Sequence, residues 1–121
     1  MPRLLVYALV VFVTTGCASG LEHRKVEGWP QLTVREHHVP HSEMRDHCTK
    51  YASFGGMTEA CAVYDLSAGT CDIWLSADFP PSEAIVEHER LHCQGYDHVG
   101  ETYMERLLAR WKRFRSQQAF Q

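Results

Sequence analysis

Short apolar or alternating runs in the middle of the chain predict β-strands. Residues 31–35 alternate polar and apolar side chains, which is typical of a half-buried strand. Two apolar runs, at 60–66 and 71–76, flank turn-forming residues at 67–70 and predict a β-hairpin. We expect the second strand of this hairpin to lie beside the next helix and to form the edge of a cleft. An extended peptide can add to such an edge through main-chain hydrogen bonds.

The apolar pattern further along the chain predicts two helices. The first, over residues 84–92, follows a Pro-Pro pair and ends at Gly95, because glycine adopts left-handed backbone angles without a Cβ penalty. The second, over residues 100–115, has apolar side chains at steps of three and four: Met104, Leu107, Leu108, Trp111 and Phe114. The sequence therefore predicts an α+β domain over residues 29–121, with a short sheet or hairpin followed by these two helices.

The segment between the first strand and the hairpin is rich in histidine and has no clear hydrophobic period. We interpret residues 36–41 as a solvated loop, residues 46–51 as a short helix or loop, and Gly55-Gly56 as a break. The alternative is a second metal site formed by the histidines of this segment, His37, His38, His41 and His47.

The N-terminus is typical of an export signal. Arg3 precedes an unbroken apolar run at 4–13, which is too short to span a bilayer, and small residues then lead to Cys17. This arrangement predicts a lipoprotein-type signal peptide over 1–16, a lipid on Cys17 and a tether over 17–28. The protein is then anchored to the periplasmic face of a bacterial membrane, and a soluble periplasmic or secreted form is the alternative.

Length and charge restrict the class of protein and of partner. The chain has 121 residues, which favours one domain. Its formal net charge is −3, and cleavage of the signal removes one basic residue and no acidic residue. Such a mildly acidic chain is not expected to bind nucleic acid as its main partner. We expect a peptide or protein substrate, and contact with the membrane through the N-terminal lipid.

Four cysteines besides Cys17 predict disulfides. An even number in a small exported domain indicates two bonds, and the sequence leaves three pairings open. A cysteine-based metal site is disfavoured because the chain has no C-x-x-C spacing. The four candidates are Cys48, Cys61, Cys71 and Cys93.

The pattern H-E-x-x-H-x-x-G-x-x-H over residues 88–98 predicts a metal site. Residues four apart on a helix share a face, so His88 and His92 can bind one ion, and the turn at Gly95 can return His98 as a third ligand. Three protein ligands and a water form an open, catalytic zinc site with one Zn²⁺. Glu89 can then take the proton of that water and act as the general base.

Two neighbours of the third histidine have expected secondary roles. Asp97 is expected to orient a ligand histidine from the outer shell, or to replace His98 as the third ligand. Tyr96 can donate a hydrogen bond to an oxyanion formed during hydrolysis. The contrary interpretation is that the whole motif is incidental, since H-E-x-x-H also occurs by chance in helices.

The eleven residues at 88–98 resemble the extended motif of the metzincin zinc endopeptidases. In that family the three histidines bind catalytic zinc and the glutamate is the general base, which implies these roles for His88, His92, His98 and Glu89. Metzincins also have a methionine turn beneath the metal. No separate turn is evident here, because Met104 belongs to the C-terminal helical pattern. The resemblance implies a small, minimal zincin-like domain.

A second resemblance covers more of the chain. The strand at 71–76, the residues 92–98 and the following Met104-Glu105 are similar to the bacterial zinc-dependent rRNA-maturation endoribonucleases. Those proteins have a strand-then-helix layout and three zinc-binding histidines, with glycine after the first histidine. Here that position is Glu89, which is the base that a peptidase needs. The resemblance therefore implies the fold and the three-histidine zinc site rather than RNA cleavage.

These observations together predict an exported zinc metallopeptidase that hydrolyses peptide bonds. Three alternatives stay open: a non-catalytic zinc-binding lipoprotein, a structural envelope lipoprotein, and a zinc-dependent endoribonuclease-like hydrolase. The sequence identifies neither the substrate nor the pathway.

Overall fold

The computed structural model describes residues 23–49 and 59–119. In these ranges, three helices and two sheets form a small α+β fold, which confirms the predicted fold class. None of these helices combines the length and the apolarity that a membrane span needs. The predicted signal peptide, Cys17, residues 17–22 of the tether and Gly55-Gly56 lie outside the described residues. The elements are β1 (His23–Lys25), β2 (Thr33–Val39), α1 (His41–Cys48), β3 (Ala60–Asp65), β4 (Thr70–Ser76), α2 (Glu83–Cys93), β5 (Tyr96–His98) and α3 (Tyr103–Gln118).

A three-stranded sheet in the order β2-β4-β3 forms the centre of the fold. β3 and β4 pair antiparallel, which confirms the predicted hairpin, and β2 pairs parallel with β4 along its whole length. β4 is therefore the central strand, and the prediction that it forms an edge beside the helix is wrong. The edge strand beside the helix is β3, and α2 packs mainly against it. β4 cannot be an edge strand, because β2 pairs with its other side.

Helices cover both faces of this sheet. Alternation along β4 places Ile73 and Leu75 on one face and Trp74 on the other. α1 covers the Trp74 face, where Met44 is fully buried. The other face is covered by α2 and α3 and holds the larger apolar core, with Val26, Trp29, Leu32, Ala62, Leu66, Cys71, Ile73, Leu75, Val86, Cys93, Met104 and Leu108.

Strand β2 is longer than the sequence predicts. Residues 36–39 belong to the strand rather than to a loop. Their polar side chains hide the alternation that marks a half-buried strand, and the strand forms because the central β4 satisfies its backbone hydrogen bonds. The helix α1 likewise begins at His41 rather than at residue 46, directly after Pro40, which lacks an N–H and suits a helix N-terminus.

Part of the predicted tether belongs to the folded domain. β1 pairs antiparallel with β5, and Val26 is almost fully buried. The tether prediction for 17–28 is therefore wrong from His23 onward. The polar composition that suggested a tether is that of a short strand whose partner, β5, follows far along the chain.

Two disulfide bonds form, which confirms the predicted number and resolves the pairing. Cys48 bonds to Cys61 and joins the end of α1 to β3. Cys71 bonds to Cys93 and joins the central strand β4 to the last residue of α2. Because Cys93 directly follows His92, the second bond holds the end of α2 that carries His92 against the sheet.

The helix α2 ends at the predicted glycine, and Trp29 covers the turn. Gly95 has a φ of +98°, and a Cβ atom there would lie 2.6 Å from Cγ of Trp29. The indole Nε1 of Trp29 donates to the main-chain oxygen of Cys93 at 3.2 Å, so it satisfies one of the free carbonyl groups at the helix end. Both the backbone angle and the close approach therefore require glycine.

The helix α3 starts three residues later than predicted and buries its apolar face. Met104 and Leu108 are buried in the core, as the spacing predicts, whereas Phe114 is 52% exposed. A carboxylate oxygen of Asp97 accepts the main-chain N–H of Met104 at 3.2 Å. This bond ties the first turn of α3 to β5.

We expect Gly95→Ala to destabilise the protein by about 2–6 kcal/mol. About 1–3 kcal/mol comes from a non-glycine residue at positive φ, and about 1–3 kcal/mol comes from overpacking against Trp29. Chemical denaturation of the oxidised protein measures the free energy of unfolding. Gly100→Ala is the matched control, because Gly100 has a φ of +88° and nothing within 4 Å of an added Cβ. Equal losses in the two variants would show that the contact with Trp29 has no energetic role.

Candidate metal centre

Three histidine side chains from α2 and β5 converge on one point. The Nε2 atoms of His88 and His92 lie 3.1 Å apart, those of His92 and His98 also 3.1 Å, and those of His88 and His98 3.0 Å. His88 and His92 share a face of α2, and the turn at Gly95 brings His98 back on β5. The structure therefore brings together the three histidines that the sequence predicts as metal ligands.

The hydrogen bonds of His92 and His98 leave the lone pairs of these two rings facing each other. Nδ1 of His92 donates to the main-chain oxygen of Tyr96 at 2.7 Å, and Nδ1 of His98 lies 2.9 Å from a carboxylate oxygen of Glu101. With these protons on Nδ1, the Nε2 atoms of both rings carry lone pairs. Lone pairs that face one another repel, whereas a cation among them binds them all.

The spacing and the donor type fit a transition metal. Tetrahedral zinc binds imidazole nitrogens at about 2.0–2.1 Å, which places neighbouring ligand atoms about 3.3–3.4 Å apart. The observed separations of 3.0–3.1 Å are slightly shorter than this. Neutral imidazoles suit zinc, copper, iron and nickel, whereas magnesium and calcium prefer oxygen ligands. The residues therefore fit a bound transition-metal ion.

A fourth imidazole, which the sequence did not reveal, joins this cluster. His23 on β1 is opposite His98 on β5, and its ring centroid lies 4.7 Å from that of His88. One ligand nitrogen from each of His23, His88, His92 and His98 lies within 4.8 Å of the other three. The Nε2 atom of His23 is buried and has no hydrogen-bond partner among the described residues. No sequence spacing links His23 to the motif, since only strand pairing brings it there.

Glu101 is the carboxylate that orients a ligand ring. Its bond to Nδ1 of His98 gives it the outer-shell role that the sequence assigned to Asp97. Asp97 instead accepts main-chain N–H groups, from His98 at 2.8 Å and from Met104 at 3.2 Å. Asp97 therefore fixes the backbone around the third histidine rather than a ring. Asp97, His98 and Glu101 also form a second group of potential ligand atoms within 4.8 Å of one another.

Tyr96 contributes its main chain to the site. Its carbonyl oxygen accepts the Nδ1 proton of His92, which fixes the tautomer of that ring. The side-chain ring faces the ammonium group of Lys25, whose Nζ lies 5.1 Å from the ring centroid. The predicted contact of Tyr96 with an oxyanion stays a prediction.

Burial keeps the imidazoles of His88, His92 and His23 neutral. Burial, with a smaller contribution from the neighbouring imidazoles, lowers the pKa of His88 to about 4. Burial is also the largest cause that lowers the pKa of His92 and that of His23. At neutral pH these rings are therefore in the unprotonated form that binds metals.

The side chain of the predicted catalytic residue Glu89 extends from α2 toward the edge of the sheet. Burial raises the pKa of its carboxyl group to about 7, although a hydrogen bond from the main-chain N–H of Ala62 acts in the opposite direction. Ala62 lies on β3, which in the described residues pairs with β4 alone. The carboxyl group of Glu89 therefore lies beside the edge of β3 with which no other described strand pairs. A carboxyl group with a pKa near 7 can both accept and release a proton at neutral pH.

The other described histidines lie on β2 and α1, outside the cluster. The rings of His37 and His47 stack on Trp74 with centroid distances of 4.2 and 3.4 Å, and Nδ1 of His41 lies 3.2 Å from Oγ of Ser76. Among the described residues, no group of potential metal ligands includes His37, His38, His41 or His47. The alternative of a second metal site in this segment therefore has no support.

No protein-family model matches the chain, and neither do any of the characterised proteins or solved structures compared with it. Interpretation of the site therefore depends on the residues and contacts described above.

We expect Glu89→Gln to become more stable relative to the wild-type protein as the pH rises, when both are stripped of metal. The unfolded pKa of glutamate is near 4.5 and the folded pKa is about 7, so the folded wild-type chain binds more protons between these values and loses stability as the pH rises through them. Glutamine has no such dependence. Thermal unfolding at pH 5, 6, 7 and 8 measures the difference.

The histidines have lowered pKa values and act in the opposite direction, but their contribution is common to both chains and cancels in the comparison. Glu87→Gln is the control, because Glu87 is exposed on the same helix. A constant stability difference between Glu89→Gln and the wild-type protein across this range would contradict the burial of Glu89.

We expect Glu101→Ala to weaken metal binding by about 10- to 100-fold. Without the Glu101 carboxylate, the imidazole ring of His98 is free to rotate away from the metal. The site would keep all its histidines, and the fold would be retained. Competition with a chromophoric zinc chelator measures the affinity. Glu43→Ala is the matched control, since Glu43 is an exposed carboxylate on α1. The same affinity in both variants would show that Glu101 does not support metal binding.

Proposed function

We propose that this protein is a zinc-dependent peptidase. The observation that carries this proposal is the position of Glu89, which directly follows the ligand His88 and meets the open edge of β3. Three imidazole nitrogens on the same helix and on β5 fit a metal ion. A metal-binding cluster, a buried carboxyl group and an open strand edge are together suited to hydrolysis of an extended peptide.

The chemistry divides between the metal and Glu89. Zinc bound by three histidines polarises a carbonyl group and lowers the pKa of water to about 7. Glu89 accepts the proton of the attacking water and delivers it to the leaving amine. The carboxyl group suits both steps, because burial raises its pKa to about 7 in the metal-free protein.

The open edge of β3 is the proposed substrate site. Residues of an antiparallel strand alternately turn their main-chain groups toward and away from the partner strand. Ala62 donates its N–H to Glu89, so this part of the edge faces the carboxyl group rather than β4. A peptide that pairs along this edge would bring one of its carbonyl groups next to Glu89.

The proposed location is the periplasmic face of a bacterial membrane. The two disulfides favour an oxidising, exported environment. Residues 1–17 have the pattern of a lipoprotein signal, which supports a lipid anchor at Cys17. A soluble periplasmic or secreted form is the alternative.

A non-catalytic zinc-binding protein is the second candidate, and His23 favours it. A structural zinc site is closed by four protein ligands, whereas a catalytic site keeps one position open. With His23, the cluster offers four imidazoles. Glu89 distinguishes the two candidates, because a structural site has no use for a proton acceptor beside the ligands.

We expect Glu89→Gln to bind one zinc ion per chain and to lose peptide hydrolysis by at least about 10²–10⁴-fold, which is the usual contribution of general acid–base catalysis. The substitution keeps the size of the side chain and removes its proton-accepting group. Cleavage of a library of quenched fluorescent peptides measures the activity, and elemental analysis measures the zinc.

Glu87→Gln is the control for charge on the same helix and should hydrolyse peptides like the wild-type protein. His88→Ala combined with His92→Ala should lose both zinc and activity. Wild-type turnover in Glu89→Gln would disprove the role of Glu89. A wild-type protein that binds zinc without cleaving any peptide of the library would favour the second candidate.

A further inference from the structure

The imidazole of His23 lies inside the metal cluster but has no place in a three-histidine catalytic site. Its Nε2 atom is buried and lacks a hydrogen-bond partner among the described residues. Buried polar atoms are nearly always paired, so an unpaired one beside a cluster of ligand atoms indicates a ligand atom. Pairing with β5 places His23 opposite His98, and side chains of opposite residues lie on the same face of a two-stranded sheet.

We propose that His23 is a fourth, exchangeable metal ligand and that β1 is a latch that closes the metal site. The β1 latch is defined as residues His23–Lys25. This inference rests on the proposed function and adds regulation to it. With the latch docked, the imidazole of His23 would fill the fourth ligand position of a bound ion. When His23 leaves, the position that water or a substrate carbonyl requires becomes open.

His23 is the outlying member of the cluster. The ring centroids of His88, His92 and His98 lie 4.6–5.0 Å from one another. The ring of His23 lies 4.7 Å from that of His88 but 5.6 and 5.7 Å from those of His92 and His98. The other three rings also come from a disulfide-anchored helix and the turn that follows it. The fourth ligand is therefore the one that can exchange.

The contacts of the β1 latch are polar and mostly at the surface. Arg24 pairs with the carboxylate of Glu105 and donates to the main-chain oxygen of Glu101, and Lys25 donates to the main-chain oxygen of Gln94. Exposed ion pairs contribute little to stability. The strand pairs through three residues only. The latch can therefore detach without disrupting the apolar core.

The residues that follow the latch hold its C-terminal end in place. Val26 is almost fully buried and donates its main-chain N–H to the oxygen of Gly95 at 2.8 Å. Trp29 is buried against the same turn. Detachment of β1 would therefore pivot about Val26, moving His23 away from the metal while the rest of the domain stays folded.

The latch also contacts the residue that orients His98. The guanidinium of Arg24 holds the main-chain oxygen of Glu101, and the Glu101 carboxylate holds Nδ1 of His98. The docked latch therefore supports both His23 and the ring of the third ligand. Weakening the Arg24 contacts should favour the open form without removing any ligand.

Cobalt substitution tests the proposal on the oxidised protein, since the visible spectrum of Co²⁺ reports its coordination. We expect azide, an anionic probe for an open position, to change the wild-type spectrum only at high concentration. We expect His23→Ala to bind azide at least about 10-fold more tightly, because no protein ligand competes for the fourth position. Arg24→Ala should lie between the two, because it keeps His23 and loosens the latch.

His38→Ala is the matched control, since His38 is exposed on β2 and lies outside the cluster. It should respond to azide like the wild-type protein. If His23→Ala does not fold, as judged by circular dichroism, His23→Gln replaces it, because glutamine keeps the size and polarity of the side chain without an imidazole nitrogen. Identical azide responses in the wild-type protein and the folded His23 variant would overturn the latch.

The outcomes separate this inference from the proposed function. A wild-type protein that binds no Co²⁺ would overturn both. A tighter azide response in the His23 variant without peptide hydrolysis would support the fourth ligand and contradict the peptidase. Tighter azide binding together with faster peptide hydrolysis than wild type would support both.

Discussion

The convergence of imidazole lone pairs on a single point is the constraint on which the rest of the structure depends. The Nε2 lone pairs of His92 and His98 lie 3.1 Å apart and repel unless a cation lies between them. Protonation does not relieve this repulsion at neutral pH, because burial lowers the pKa of His92. Folding therefore keeps these repelling groups in place, and the surrounding contacts must hold them there.

Contacts outside the cluster hold His92 and His98 in place. The Cys71–Cys93 disulfide fixes the end of α2 beside His92, and the turn at Gly95 is closed by Trp29. Asp97 fixes the backbone of His98, and Glu101 fixes its ring. Such a rigid frame is what a preorganised metal site needs, since a ligand free to rotate would move away from its neighbours in the absence of metal.

The local part of the site could be predicted from the sequence, and the long-range part could not. The spacing from His88 to His92 follows from helix geometry, and Gly95 indicates the turn that returns His98. His23 reaches the cluster through the pairing of β1 with β5, and no local pattern specifies which short strands pair. Residues 36–39 of β2 were similarly hidden, because polar side chains removed the alternation that predicts a strand. Glu101 contacts His98 through a turn whose geometry the sequence does not encode in any recognised spacing.

Glu89 and His23 favour opposite kinds of metal site. A carboxyl group with its pKa raised by burial is an unfavourable feature in a structural site, and its presence at the open edge of β3 favours catalysis. Four imidazoles favour a closed and stable site. The two features are compatible if the fourth ligand is attached by surface contacts while the other three belong to the rigid frame. The contacts of the two elements differ in this way: Arg24 and Lys25 hold β1 through polar contacts, whereas α2 is bonded covalently to the central strand.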